Sequence, residues 1–129
     1  MILVIGGSCQ GKRKAAARIL HISEEVFERD CVDGGGLKPE QICGKPYVAG
    51  YQDCLRRLVE TGQDTEEFTR KVMEAGPEVV VMNEVGYGVV PMDALERRYR
   101  EAVGCAGQML AGGAEAVYRV VCGVAVRIR

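Results

Sequence analysis

The sequence predicts one α/β domain over residues 1–129, a mainly parallel sheet with helices on both faces. Three observations predict it. Met1 to Ile5 and Glu78 to Met82 are short, continuous apolar runs, the pattern of strands buried on both faces. Each runs directly into a glycine-bearing loop, and each loop leads to a stretch of good helix formers. The 129 residues, 47% hydrophobic and 27% charged, suffice for one core and are few for two.

The elements follow in order. Met1 to Ile5 is the first strand, and Lys12 to Leu20 (KRKAAARIL) the first helix, with no breaker inside it. Glu25 to Arg29 reads as a second short strand. The Gly- and Pro-rich DCVDGGGLKPEQICGKP that follows reads as a connecting loop. From Tyr51 the pattern is helical, with Leu55, Leu58 and Val59 on one face. A further helix spans Thr65 to Glu74, with Asp64 as N-cap and Gly76-Pro77 as stop. After the strand Glu78 to Met82 comes NEVGYGVVP, then a helix from Ala94 to Leu110 capped by Asp93. Val117 to Val121 and Val124 to Ile128 form a C-terminal hairpin around Cys122 and Gly123.

In open α/β sheets ligands bind beyond the carboxyl ends of the strands, where both glycine loops lie. The first, GGSCQGKR, places Gly6, Gly11 and Lys12 at the spacing of G-x-x-x-x-G-K-[ST]. In that pattern successive backbone N–H groups surround the phosphates, the lysine meets the outer ones, and the final hydroxyl binds Mg2+. Gly6, Gly7, Ser8, Cys9, Gln10, Gly11, Lys12 and Arg13 are therefore assigned to a nucleoside triphosphate, ATP or GTP, with Lys12 catalytic. Arg13 replaces the hydroxyl residue, so magnesium lacks its usual ligand and no metal-binding residue is assigned. Glu84, beyond the second buried strand, is the second catalytic candidate, acting on magnesium or on the attacking hydroxyl. Asn83, and Arg97 with Arg100 on one helix face, are candidates for substrate or phosphate. Gly86 and Gly88 suggest backbone passing close to a ligand. His21 reads as a residue of a connecting turn.

A formal net charge of −1 supplies no field that would gather nucleic acid or an anionic membrane. No basic leader or membrane span is visible, and the six cysteines, without a CxxC pair, read as free cytoplasmic thiols, with Cys31 and Cys43 the pair to check.

At NEVGYGVVP the chain resembles the bifunctional adenosylcobinamide kinase and adenosylcobinamide-phosphate guanylyltransferase family of cobalamin biosynthesis. The family's GG-x-x-x-GKS corresponds to Gly6, Gly7, Gly11 and Lys12, and its NEVG-x-G-[IV]-VP to Asn83, Glu84, Val85, Gly86, Gly88 and Pro91. Its arginine-rich helix corresponds to Arg97, Tyr99, Arg100, Glu101, Gly104, Gln108, Leu110 and Ala111. Its closing segment corresponds to Ala114, Glu115, Val117, Val120, Val121 and Gly123. The likeness covers residues 1 to about 18 and 78 to 129, while Cys105 and Gly107 stand where the family has arginine and asparagine. Asp53 and Cys54 are similar to an Asp-Cys-Leu on the family's magnesium-binding strand, but CLRRLVE around them is helical.

The resemblance implies a P-loop NTPase-like (RecA-like) sheet, a corrinoid-like small-molecule substrate and a homo-oligomer. It also implies a kinase for an adenosylcobinamide alcohol. The guanylyltransferase half is expected to be lost, because the region holding the family's guanylylated histidine is much shorter and offers only His21. The competing expectation is a non-catalytic nucleotide-binding regulator or partner subunit, for which Arg13 and the lost histidine region are the evidence.

Overall fold

In the computed structural model, residues 1–86 and 92–129 are described. They form a six-stranded sheet in the order β2-β3-β4-β1-β5-β6. β1 (Ile2–Gly6) lies at its centre, parallel to β4 (Val79–Asn83) on one side and β5 (Ala116–Val121) on the other. β2 (Cys31–Asp33) and β3 (Tyr47–Ala49) continue the parallel half, and β6 (Val124–Arg127) turns back antiparallel to β5. The fold is α/β and P-loop NTPase-like, with the C-terminal hairpin that the sequence suggests. Cys122 and Gly123, at φ 49° and 78°, supply the left-handed pair that a tight hairpin requires between Val121 and Val124.

Strand residues alternate between two cores. Val4, Val79, Val81 and Val120 meet Ala15, Ala16 and Ala17 of α1 (Lys12–Ile19) and Phe27 of α2 (Glu24–Asp30) on one face. Leu3, Val80, Met82 and Val117 meet α3 (Tyr51–Glu60), α4 (Thr65–Ala75) and α5 (Ala94–Gly113) on the other. Three consecutive alanines let α1 sit close to the sheet, which brings its N-terminus to the end of β1. In the second core Tyr51 Oη and Thr69 Oγ1 are 2.9 Å apart, joining α3 to α4 without an unmet buried hydroxyl.

Three expectations fail here. Glu25 to Arg29 is helix, not strand: Ser23 caps α2 by accepting from Val26 N at 3.2 Å, and only Phe27 of the seven helical residues is buried. The glycine-rich stretch read as a loop holds β2, and β3 follows it. With three residues each, neither carries a periodic signal, and their pairing is set by the edge of β4. α5 runs to Gly113, past Leu110. Asp64 and Asp93 cap α4 and α5 as the sequence predicts. Among the described residues, no helix is long and apolar enough to cross a membrane.

Candidate functional site

The loop after β1 is shaped by what its residues lack. A Cβ on Gly6 would lie 2.5 Å from the Val120 carbonyl oxygen, so only glycine lets β1 pass β5 at this point. Gly11, at φ 84°, turns the chain into α1 as its N-cap and leaves that terminus with no side-chain cap and no acid in its first turn. The N-terminal N–H groups and the positive end of the helix dipole are thus presented to an anion. Lys12 is buried, and its Nζ donates to Gly7 O at 2.5 Å, folding across the loop. Burial pushes its ammonium pKa down, while Cys9 and Glu84 work in the opposite direction.

Other elements hold the loop in place. Cys122 N donates to Gln10 Oε1 at 2.7 Å and Gly123 N to Gln10 O at 2.9 Å, docking the loop on the β5–β6 turn. Asn83 Nδ2 donates to Ser8 Oγ at 3.0 Å, while Gln52 Oε1 accepts from Asn83 N at 3.0 Å. Asn83 therefore links β4 to the loop after β1.

Lys12 and the loop line a cleft of about 560 Å3, whose opposite wall the sequence reading missed. The parallel register sets Asp33 against Ala49, one residue before Gly50, and Asp53 stands in the first turn of α3. A Cβ on Gly50 would lie 2.9 Å from Asp33 Oδ1 and 3.4 Å from Asp53 Oδ2, so the two carboxylates flank that position. Burial, and then the charge of Asp33, raise the Asp53 pKa. Arg13 reaches this wall: Nη1 donates to Glu28 Oε2 at 2.8 Å and Nη2 to Asp33 Oδ2. Asp53 faces the cleft although α3 is helical, so its helical setting does not remove it from the site.

A magnesium ion does not fit this set. Its usual hydroxyl is a guanidinium, Asp33 is engaged by that guanidinium, and Asp53 Oδ2 accepts from Gln52 Nε2 at 3.1 Å. Among the described residues, no three His, Cys, Asp or Glu side chains gather where they could hold a metal ion.

Glu84 lines the neighbouring cleft, within electrostatic reach of Lys12. Its carboxylate accepts both Nε and Nη2 of Arg119, at 2.8 and 3.0 Å. It lines a second cleft of about 370 Å3, walled by Leu3, Ile5, Val103 and Val117 with Gly104 and Gly107 of α5. Met82 and Asn83 line both clefts. Arg97 and Arg100 line neither; Arg97 Nη1 donates to Met92 O at 3.0 Å. His21, at φ 57°, sits exposed in the turn after α1. Gly88 and Pro91 of the predicted motif fall outside the described residues, and Gly86 adopts φ 105°. All six cysteines are free, Cys31 and Cys43 included, and burial raises the Cys31 thiol to about 11.

Comparison with known proteins adds a lineage. A family model described as cobinamide kinase / cobinamide phosphate guanyltransferase matches residues 49–128. The bifunctional adenosylcobalamin biosynthesis protein CobU of Salmonella typhimurium is 45% identical over 51 residues, covering 40% of this chain and 28% of that protein. The protein of the same name from Escherichia coli matches to the same extent. The matched stretch thus spans little more than a quarter of these relatives' length. The family match begins after β2 and leaves out the first loop, so the phosphate reading of residues 6–13 rests on motif and geometry.

Proposed function

The chain belongs to the cobinamide kinase / cobinamide phosphate guanyltransferase family, and from that premise we propose that it binds ATP or GTP at residues 6–13 and phosphorylates an alcohol of a corrinoid-like acceptor. One observation carries the reading. The uncapped N-terminus of α1, with Lys12 folded across its loop, opens on a cleft that shares Met82 and Asn83 with an apolar one. The triphosphate takes the charged cleft and the acceptor the apolar one, with the γ-phosphoryl group near Asn83.

In the reaction the acceptor oxygen bonds to the γ-phosphorus as the bond to the β,γ-bridging oxygen breaks, leaving a nucleoside diphosphate. Lys12 exchanges the Gly7 carbonyl for phosphate oxygen and neutralises charge on the transferred group. Glu84, oriented by Arg119, takes the hydroxyl proton. Arg97 and Arg100, near the start of α5, are proposed to meet outlying acceptor groups. The guanylyl-transfer half is proposed to be absent, since exposed His21 is the sole histidine. Valines and Ile128 exposed on and beside β6 support a homo-oligomer, and six free thiols support a cytoplasmic setting.

The test is transfer of γ-labelled phosphate from ATP or GTP to adenosylcobinamide, comparing the wild-type chain with Lys12→Ala. Arg13 favours the second reading, a nucleotide-binding regulator. Nucleotide binding without Lys12-dependent transfer would select that reading, and absence of any nucleotide binding would sink both.

A further inference from the structure

Arg13 occupies the position whose side chain ordinarily binds the cation of a bound triphosphate. Its guanidinium lies in the first turn of α1 and spans to two other elements, Glu28 on α2 and Asp33 at the end of β2. A guanidinium carries five N–H donors in a fixed plane. Glu28 and Asp33 each engage one terminal nitrogen, which leaves three donors for a ligand. Burial works against the charge of Arg13, but Glu28 and Asp33 outweigh it and raise its pKa, so the group is a permanent cation. Asp33 and Asp53 flank Gly50 on that wall, and Arg13 already pairs with the first of them.

We propose that Arg13 is the resident cation of the triphosphate site, so that this protein binds nucleoside triphosphates without a divalent metal. The inference rests on the nucleotide reading above and goes beyond it in assigning the metal's electrostatic role to a side chain. The carboxylates fix the guanidinium plane, and its remaining donors meet phosphate oxygens as charge-assisted bonds. The conflict between this set of residues and a magnesium ion then has a physical basis: ion and guanidinium compete for the same phosphates and for Asp33.

Calorimetric titration of ATP and GTP into the full chain, in excess EDTA and in excess Mg2+, tests this. The wild-type affinity is expected to agree within about twofold between the two conditions. Arg13→Ser is expected to lose about tenfold or more in EDTA, the worth of a charge-assisted contact, and to regain affinity with Mg2+. Arg13→Lys keeps the charge and is expected to remain metal-independent, which guards against Arg13→Ser simply failing to fold. Wild-type binding that appears only with Mg2+, or an Arg13→Ser variant that matches wild type in EDTA, would overturn the assignment and leave the nucleotide reading standing. Absence of binding in either condition would overturn that reading, and this one with it.

Discussion

Two clefts open at the carboxyl end of β4, and they are built differently. Among the described residues, the one beside α1 is lined by three cations and four carboxylates, the one beside α5 mainly by aliphatic side chains with Glu84 as its one charged residue. In the first, the proposed recognition rests on backbone N–H groups, a helix terminus and fixed charges. In the second it would rest on volume left empty, because Gly104 and Gly107 line that cleft without a side chain. A substitution in one cleft should therefore leave the other intact, and departures from that rule locate the coupling at Met82 and Asn83.

Lys12→Ala has the largest expected effect. It removes the ammonium proposed to meet the phosphates, and phosphate transfer should fall on the order of 10²- to 10³-fold while acceptor binding is unchanged. Glu84→Gln comes next, with transfer falling about 100-fold and nucleotide affinity unchanged. Its pair with Arg119 is half exposed on the arginine side, so the melting temperature should move by about a degree or two at most. Equal loss of nucleotide affinity in Glu84→Gln would mean that the two clefts work as one. Gly107→Leu then fills the apolar cleft, since a Cβ there meets nothing within 4 Å. The acceptor KM should rise about tenfold. Nucleotide affinity should hold, and the chain should be stabilised by up to about 1 kcal/mol, because glycine weakens a helix interior. Weakened nucleotide binding in this variant would break the division.

The sequence makes the two clefts unequally legible. β1, the loop and α1 are readable because a buried apolar run, a fixed glycine spacing and an alanine-rich helix are all local signals. Glu84 at the end of β4 is readable for the same reason. The wall formed by Glu28, Asp33 and Asp53 is not, because it depends on β2 and β3, whose pairing is decided by tertiary contact. A weak signal was present: Asp33 directly precedes Gly34, and the resemblance singles out Asp53, three residues after Gly50. SEEVFERD misleads because its Val26 and Phe27 suggest a strand, while the serine cap and flanking charges settle it as helix. The two partners of Arg13 were beyond reach for a simpler reason, since Glu28 and Asp33 are 15 and 20 residues away in sequence.

The smallest expected effect sharpens the comparison most, because it reads the field in the charged cleft without any ligand. Burial and the nearby Asp33 charge raise the Asp53 pKa above its ordinary 3.8. The folded chain thus holds that proton more tightly than the unfolded chain does. Any stability gained from protonated Asp53 is complete below 3.8 and is lost as the pH rises through and just above that value. Asp53→Asn carries no such loss. Its melting temperature should match wild type in acid and exceed it by on the order of a degree or two at neutral pH. In an Asp33→Asn background that offset should shrink, because the second cause of the shift is gone. An offset of the same size at every pH would mean that packing, not charge, sets the energy at Asp53, and the cleft beside α1 would then differ from its neighbour less than its lining suggests.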